Sequence, residues 1–227
     1  MALDIGSIEL LKDKIYSALK SEIIFGRYKP GDEIHIINVA SEMNISTAPV
    51  REALNMLQKD GLVSLVPHKR PTVTAVDSKD WQISMELRLI LEPYAARYSC
   101  DKIPQKEIDN VRAKLEAVFR APTDEAAYIG SDMALHELLY KYSGSNLIIE
   151  ILDSLKVYTT RMRYSIEIEA EDRPEDLEAI VTASTKEHLD ILNALDARDP
   201  ALAEEKVRIH IQNYMSRNKD SEQKSLA

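Results

Sequence analysis

The 227-residue sequence has a single cysteine, Cys100, and no apolar run that approaches the ~20 residues of a membrane-spanning helix. One cysteine excludes an internal disulfide framework and fits a reducing compartment. The N-terminal segment MALDIGSIELL has neither a basic start nor a continuous apolar stretch, so we predict no signal peptide. Together these absences favour a cytoplasmic protein.

Positive charge is also scarce, since 29 Lys and Arg face 38 Asp and Glu, and the formal net charge is −9. Residues 1–76 hold nine basic and nine acidic residues, so the rest of the chain carries the whole excess of acid. A DNA-binding protein needs a local basic face to meet phosphates, not a basic composition. The composition therefore permits nucleic-acid binding by the first 76 residues.

The stretch from Asn38 to Gly61 has the pattern of two short helices joined by a tight turn. Ser46 is suited to cap the second helix and Gly61 to end it. The apolar positions of that helix repeat at helical spacing: Val50, Ala53, Leu54 and Leu57. Donor-rich side chains four residues apart occupy its opposite face, as in a helix that enters a DNA major groove: Arg51, Asn55 and Lys59. Periodicity alone favours an ordinary surface helix pair with a solvated polar face.

The segment after Gly61 favours a DNA-binding unit over an ordinary surface helix pair. Two β-rich runs, LVSLV and TVTAV, flank the basic tip PHKRP and predict a small hairpin, or wing. The start of the second helix can also approach phosphates with free N–H groups. We therefore predict a winged helix-turn-helix DNA-binding domain over residues 1–76. Six residues are predicted to contact DNA: Ser46, Thr47, Arg51, Asn55, Lys69 and Arg70.

From residue 77 onward only helical periodicity is strong. We predict an all-α antiparallel bundle of about six helices over residues 77–220, with a frayed tail at 221–227. Asp199 followed by Pro200 is the clearest helix start in this half. The predicted fold class is mainly α, an N-terminal winged helix-turn-helix followed by an all-α antiparallel helical bundle.

Three of the five histidines fall in three different helices of the predicted bundle: His136, His188 and His210. Asp132 precedes His136 by four residues, so both project from one helix face. The helices that carry His188 and His210 are joined by a short turn, and the two residues lie at near-equal distances from it. Their rings should therefore lie at about the same height, which predicts a metal site built from these four residues.

One aspartate and three histidines suit Zn²⁺, Mn²⁺, Ni²⁺ or Fe²⁺, and the sequence does not choose among them; we take zinc as the first candidate. The four ligands could close a tetrahedral zinc site or leave positions open on an octahedral ion. A lone histidine in apolar surroundings is usually a satisfied core residue. Three histidines with an aspartate at matched heights favour a metal over coincidence.

Arg88 lies in the apolar run SMELRLILEP of the first bundle helix. It is either a surface arginine paired with Glu92, four residues on, or a guanidinium turned into the bundle to grip a ligand carboxylate. The sequence pattern favours neither interpretation of Arg88 over the other. Arg161 and Arg163 could act likewise, with less support.

The chain resembles the GntR family of transcription regulators, FadR subgroup, over nearly its full length. The most specific matches in the first half are Lys29–Asp32, Val39-Ala40, Ile45-Ser46, Pro49–Leu54, Leu57 and Asp60–Val63. The matches in the second half are Arg88 with Glu92, Asp132 with His136, Ser143–Asn146, Glu187-His188 and His210. Six bundle helices look more like the smaller, six-helix variant of the family's FCD-type effector domain.

The resemblance implies a homodimer on a palindromic operator, engaged or released by a small carboxylic acid. It also implies that Asp132, His136, His188 and His210 are metal ligands, that Arg88 helps to hold the acid, and that the chain is not an enzyme. Two departures from the family pattern make operator preference specific to this chain. Thr47 stands where the family commonly has Arg, and the wing tip His68–Pro71 lacks the usual glycine.

Two alternatives remain at this point. A metal-dependent hydrolase could use the same four ligands with an open position to activate water, although no carboxylate stands out as a general base beyond Glu137 and Glu187. A constitutive DNA binder could contain the same metal as a purely structural site.

Overall fold

A computed structural model describes residues 11–24, 26–75, 77–170 and 174–225 of the chain. Within these ranges, the side chains of residues 78, 125, 157, 160–170, 174–177 and 218–225 are not described. The chain divides into two compact units, with the division between Asp77 and Ser78.

The first unit contains three helices and one short hairpin in its described part. Its elements are α1 (Leu11–Ile24), α2 (Ile36–Glu42), α3 (Thr47–Lys59), β1 (Val63–Ser64) and β2 (Thr72–Val73). Helix α3 packs against α1 and α2, and its four predicted apolar positions are all buried. Ser46 occupies the N-cap position without a side-chain cap hydrogen bond, and Gly61 takes a φ of +70° just after the helix. This is the arrangement predicted for a helix-turn-helix.

The hairpin, here called the wing (residues 63–73), is shorter than predicted. The antiparallel strands pair Val63 with Val73 and Ser64 with Thr72. Pro67 and Pro71 have no N–H to donate to a ladder, which limits how far the pairing can extend. The loop before α2 adds an unpredicted third edge, since Glu33 forms a bridge with Thr72 and the Ile34 N–H donates to the Pro71 carbonyl at 2.8 Å.

The second unit is a bundle of six helices within the described residues. These are α4 (Ser78–Ser99), α5 (Gln105–Arg120), α6 (Glu125–Lys141), α7 (Asn146–Ala170), α8 (Pro174–Asp196) and α9 (Pro200–Ser225). Helix α4 packs against α6 and α9, and α8 packs against α5, α6 and α9. Helix α7 joins the core through Leu152 and Leu155, which cluster with Ala95 and Tyr140.

The backbone of α9 is helical as far as Ser225, into the segment predicted as a frayed tail. After Pro200 the sequence has neither glycine nor proline to end the helix. Residues 226 and 227 lie outside the described ranges.

The α8–α9 hairpin is fixed at its turn by capping and by one arginine. The Asp199 carboxylate accepts from the N–H groups of Ala201 and Leu202, at 3.1 and 3.0 Å, as the predicted helix start requires. Arg198 has a φ of +51° and donates to the carbonyls of Cys100 and Ile103, both at 2.8 Å. These bonds tie the hairpin turn to the end of α4, and thereby set the heights of side chains further along α8 and α9.

Candidate metal centre and nucleic-acid interface

The bundle brings the four predicted ligand residues into one buried cluster. Asp132 and His136 come from α6, His188 from α8 and His210 from α9, and their ligand atoms all lie within 4.8 Å of one another. The Asp132 Oδ1 atom lies 3.3 Å from His188 Nε2 and 3.6 Å from His136 Nε2. His188 Nε2 and His210 Nε2 are 3.2 Å apart. The two rings of the α8–α9 hairpin thus lie side by side, as their distances from the turn predict.

These separations fit a metal ion. Bonds of about 2.0–2.1 Å to a tetrahedral ion place its ligand atoms roughly 3.3 Å apart, close to the three distances above. Asp132, His188 and His210 are at most 5% exposed, and His136 is 6% exposed. His136 Nε2 makes no hydrogen bond among the described residues. A set of buried acceptor atoms that converge on one point is stabilised by a cation between them.

Glu92 on α4 contacts the Nδ1 atom of His136, the ring nitrogen that faces away from the cluster. Its Oε2 lies 2.6 Å from His136 Nδ1, and its Oε1 accepts from Arg88 Nε. Burial raises the pKa of Glu92, but the charges of Arg88 and His136 outweigh this effect and bring the pKa down to about 2. The carboxylate is therefore ionised at neutral pH and can only accept, so the His136 proton lies on Nδ1 and Nε2 faces the cluster.

Glu187 on α8 has the same relation to His210. Its Oε2 lies 2.8 Å from His210 Nδ1, and Arg217 donates to both of its oxygens, at 2.8 and 3.0 Å. Burial raises the pKa of Glu187, but the hydrogen bonds from His210 and Arg217 bring it down to about 2. The proton of His210 is thus also on Nδ1, while burial lowers the pKa of the ring and keeps it neutral.

Electrostatics at His136 differ from those at His210. Burial lowers the pKa of His136, but Glu92 and Asp132 outweigh it, so the pKa of this ring is raised. The carboxylates therefore favour positive charge at the side of the cluster nearest α4. A divalent cation supplies that charge without a proton on the ring.

Arg88 combines features of both interpretations offered by the sequence. It is 6% exposed, so it is not a surface residue, yet its guanidinium is paired with Glu92. Arg88 also lines a cavity next to the metal cluster, together with Lys156 and Thr159 of α7. The side chains of Arg161 and Arg163 lie outside the described residues.

This cavity has a volume of about 20 Å³, slightly more than the roughly 10–15 Å³ that one water molecule requires. Two of its lining residues, Lys156 and Glu137, form an ion pair with Nζ and Oε2 3.0 Å apart. The Glu137 side chain is 52% exposed, so this pair marks the solvent side of the cavity. The volume is too small for a carboxylic acid. A ligand of that kind can enter only if the side chains of α6 and α7 move apart.

The predicted DNA-contacting residues gather at α3 and the wing. Arg51 and Asn55 are exposed on α3 and line one side of a groove, whose other side contains His68 and Lys69 of the wing. Ser46 is exposed at the start of α3, where Thr47 is half-buried. The groove thus presents donors from both elements, as direct contact with a duplex requires.

The wing tip is a tight turn centred on His68, which has a φ of +64°. The Lys69 N–H donates to the Val66 carbonyl at 3.0 Å, and Pro67 precedes the residue with positive φ. This is the pattern of a type II turn, which favours glycine at that position and tolerates histidine better than most residues. Arg70, unlike Lys69, is engaged within the unit, since its Nη1 donates to Glu33 at 2.6 Å.

A row of large apolar side chains lies exposed along α4. Its members are 39–65% exposed and follow one another at intervals of four, three, four and four residues: Ile83, Leu87, Ile90, Tyr94 and Tyr98. The opposite face of α4 supplies buried residues to the core, including Met85, Ala95 and Ala96. Helix α4 therefore has two apolar faces, of which one is unpaired within the described part of the chain.

Comparison with known families identifies both units. The family description "Bacterial regulatory proteins, gntR family" matches residues 11–73, and "FCD domain" matches residues 84–213. The chain belongs to the GntR family of transcription regulators, with an FCD domain. The two matched ranges include α1 to the wing in the first unit and most of the bundle in the second.

Two relatives and one solved structure illustrate the similarity. The HTH-type transcriptional repressor RspR of Escherichia coli (strain K12) is 25% identical over 206 residues, which are 89% of this chain and 86% of the relative. The uncharacterized HTH-type transcriptional regulator YdhC of Bacillus subtilis (strain 168) is 28% identical over 143 residues, or 62% of this chain and 64% of the relative. The structure of E. coli McbR/YncC superposes with a TM-score of 0.77 and 21% identity, and the match covers 91% of this chain and 96% of that one; it shares the fold.

Family membership answers the alternative of a metal-dependent hydrolase. The family description and the curated relatives name transcription regulators, so this GntR-family chain is a regulator and not an enzyme. Glu187, one of the two carboxylates considered as a general base, is bonded to His210 and Arg217.

None of the helices in the described part of the chain combines the length and apolar character needed to cross a membrane.

The sequence patterns did not identify every residue that shapes the GntR-family site. The sequence predicts Glu92 only as a partner of Arg88. Its contact with His136 is not predicted, because spacing along α4 does not show which ring of α6 lies against it. Glu187 adjoins His188 in sequence but faces His210 of the next helix. The signal available for Glu92 is its position one turn from Arg88, on a helix that packs against α6. The sequence offers no equivalent signal for Glu187, whose arginine lies 30 residues away on α9.

Proposed function

We propose that this regulator is a repressor whose affinity for a palindromic operator is controlled by a small carboxylic acid, bound at a divalent metal in the bundle. The observation that carries the proposal is the buried convergence of Asp132, His136, His188 and His210, with two of the rings oriented by glutamates. Repression is inferred from relatives such as RspR. Because the operator lies on chromosomal DNA, we expect the protein to act in the cytoplasm.

The four ligand residues would hold the ion, with zinc as the first candidate. When bound, a divalent ion supplies a Lewis acid that can accept a carboxylate oxygen. Arg88 stands at the wall of the adjoining cavity and would share the charge of the acid, in exchange for part of its contact with Glu92. Lys156 would become available when the ion pair with Glu137 at the cavity opening separates.

Opening of the cavity supplies the regulatory step. The acid binds only after α6 and α7 separate near Glu137 and Lys156, so it has different affinities for the closed and open bundles. Such a difference is the thermodynamic requirement for control by a ligand. In a homodimer, the change in helix packing would alter the spacing of the two DNA-binding units.

The exposed row on α4 favours the homodimer. Spacing of four, three, four and four residues places these side chains on a single stripe, which two copies can pair across a twofold axis. Two copies are also what a palindromic operator requires, since each half-site is read by one recognition helix.

The test is to titrate metal-loaded protein with a panel of small mono-, di- and hydroxycarboxylic acids. We expect one or more acids to raise the melting temperature and to change affinity for an operator duplex selected from random-sequence DNA. The double variant His136→Ala/His188→Ala should lose both metal and response. If metal raises the melting temperature but no acid has any effect, the site is structural and the regulator constitutive. If the double variant keeps metal content and response, the sensor site is elsewhere.

A further inference from the structure

The metal cluster is flanked by two similar sets of side chains, each consisting of an arginine, a glutamate and a histidine. The first is Arg88–Glu92–His136, between α4 and α6, and the second is Arg217–Glu187–His210, between α8 and α9. In both, the glutamate contacts the Nδ1 atom of a ring whose Nε2 atom faces Asp132 or His188. This inference rests on the metal site proposed above.

In the first set, the glutamate is the inner member of a buried chain. Glu92 is 2% exposed, and its two oxygens are divided between Arg88 and His136. Arg88 and Glu92 are four residues apart on α4, so one helix supplies both. The helix thereby presents an oriented carboxylate to a ring that belongs to α6.

In the second set, the glutamate has four bonds to α9. Both Glu187 oxygens accept from Arg217, one also meets His210 Nδ1, and the other accepts from Asn213 Nδ2 at 2.9 Å. The bidentate contact with Arg217 fixes the plane of the carboxylate. Because His210, Asn213 and Arg217 follow one another at helical intervals, one face of α9 surrounds this carboxylate.

A neutral imidazole carries its proton on either nitrogen, and only the bare nitrogen can bind a metal. A carboxylate at Nδ1 selects the form with the proton at Nδ1 and the lone pair at Nε2. Both selected lone pairs then point at the same space as the Asp132 carboxylate. The neutral rings are thus held in the ligating tautomer before an ion binds, so no free energy is spent in moving the proton from one nitrogen to the other or in turning the rings.

We propose that Glu92 and Glu187 are positioning residues that hold His136 and His210 in the metal-binding tautomer, and that Arg88 and Arg217 hold these two carboxylates in place. Arg88 therefore supports the metal even when no organic acid is present. This role is separate from the contact with an acid proposed above, and it predicts that loss of Arg88 weakens metal binding in the absence of acid.

The first experiment measures the affinity of the full chain for Zn²⁺ alone, in competition with a chromophoric chelator. We expect Glu92→Gln and Glu187→Gln to weaken binding by about 10- to 100-fold, and Arg88→Met to weaken it in the same direction. Glu204→Gln is the matched control, because it removes the same charge from a glutamate on α9 that accepts from Arg97 and Arg208 and belongs to neither set. It should change affinity by less than about threefold, as screened surface charges do.

The second experiment detects the tautomers directly in metal-free protein, by long-range ¹H–¹⁵N correlation of the histidine rings at alkaline pH. In the unsubstituted chain, His136 and His210 should both have the proton on Nδ1, and the glutamine variants should gain the Nε2–H form. This spectrum needs no variant to be decisive, so it remains informative if a substitution prevents folding.

The outcomes separate this inference from the function on which it rests. If the unsubstituted protein binds no Zn²⁺, the metal site fails, while the spectrum still decides the tautomers. If it binds Zn²⁺ and the glutamine variants bind equally well, the positioning role is overturned. An Nε2–H signal from His136 or His210 in the unsubstituted, metal-free protein would also overturn it.

Discussion

Arg51 is the residue on which the DNA-binding half can be tested most directly. It is exposed in the second turn of α3, where Val50 and Leu54 are buried, and it lines the groove beside the wing. We expect Arg51→Ala to cost about 1–3 kcal/mol of operator binding, because alanine cannot replace the hydrogen bonds of a guanidinium to a base or a phosphate. Fluorescence anisotropy with the selected operator duplex would measure this loss.

The control for this prediction is Arg27→Ala. Arg27 lies in the same unit, carries the same charge and is bonded only to Glu22 at the end of α1 among the contacts described. Its removal should leave operator affinity within about threefold, since it changes overall charge without changing the α3 surface. Equal losses in the two variants would mean that Arg51 acts through net charge and not through contact.

His68 shows how far sequence reasoning extends at a single residue. The lack of glycine at the wing tip predicts a departure from the family pattern, but it does not predict the structural consequence. The chain keeps the left-handed turn and places His68 in it, with a φ of +64°. A non-glycine residue in this conformation costs roughly 1–2 kcal/mol, less for residues such as histidine that tolerate it. Residue type alone does not indicate which of the four tip residues takes that role.

Among the elements, the helices were easier to predict than the strands. Helix starts carry local signals, and Asp124 and Asp199 both cap as their positions indicate, with the Asp124 carboxylate accepting from the Ala127 N–H at 2.9 Å. The strands have only two residues each, and part of their pairing comes from Glu33, some 39 residues before Thr72. Such a contact depends on the tertiary fold and leaves no periodic signal.

Helix α4 illustrates a related limit. Its sequence has more apolar positions than one core-facing stripe can hold, but a count of them does not divide the inner from the outer face. The structure makes this division: Trp81 and Met85 are buried, whereas Leu87 and Ile90 are exposed. The exposed face is thereby available to a second copy of the chain.

We expect Ile90→Asp to dissociate the homodimer proposed above. Ile90 is the most exposed member of the α4 row, at 65%, and lies at its centre. Burial of such a side chain contributes about 1.5–3 kcal/mol, and a twofold interface contains it twice, so dimer affinity should fall by a factor on the order of 100 or more. Sedimentation velocity over a range of protein concentrations would measure the shift to monomer.

Ala117→Asp provides the matched change. Ala117 is exposed on α5, so the substitution adds the same charge to a helix outside the α4 row. Its dimer affinity should remain that of the unsubstituted chain. If both variants stay dimeric, the two copies meet through another surface.

At the scale of the whole molecule, the two units differ in net charge, in keeping with their different roles. Residues 1–76 are neutral in sum and place their exposed Arg51, Asn55 and Lys69 along one groove, while the rest of the chain carries the net charge of −9. Acidic residues on the bundle repel the DNA backbone, which favours approach by the first unit. The sequence indicated this division, but not the small cavity beside the metal cluster, because its volume depends on how α4, α6 and α7 pack.

The metal should stabilise the bundle locally, and this can be measured by hydrogen exchange along the chain. At a free Zn²⁺ concentration of 100 times the dissociation constant, binding to the folded state alone adds about 2.7 kcal/mol, or about 100-fold slower exchange by global unfolding of the bundle. We expect this slowing in α6, α8 and α9, which carry the four ligands, and much less in α1 to α3. His188→Ala should abolish it, because His188 is fully buried at the centre of the cluster. If His188→Ala kept the same Zn²⁺-dependent slowing as the unsubstituted chain, the ion would bind elsewhere, and the assignment of the site to Asp132, His136, His188 and His210 would fail.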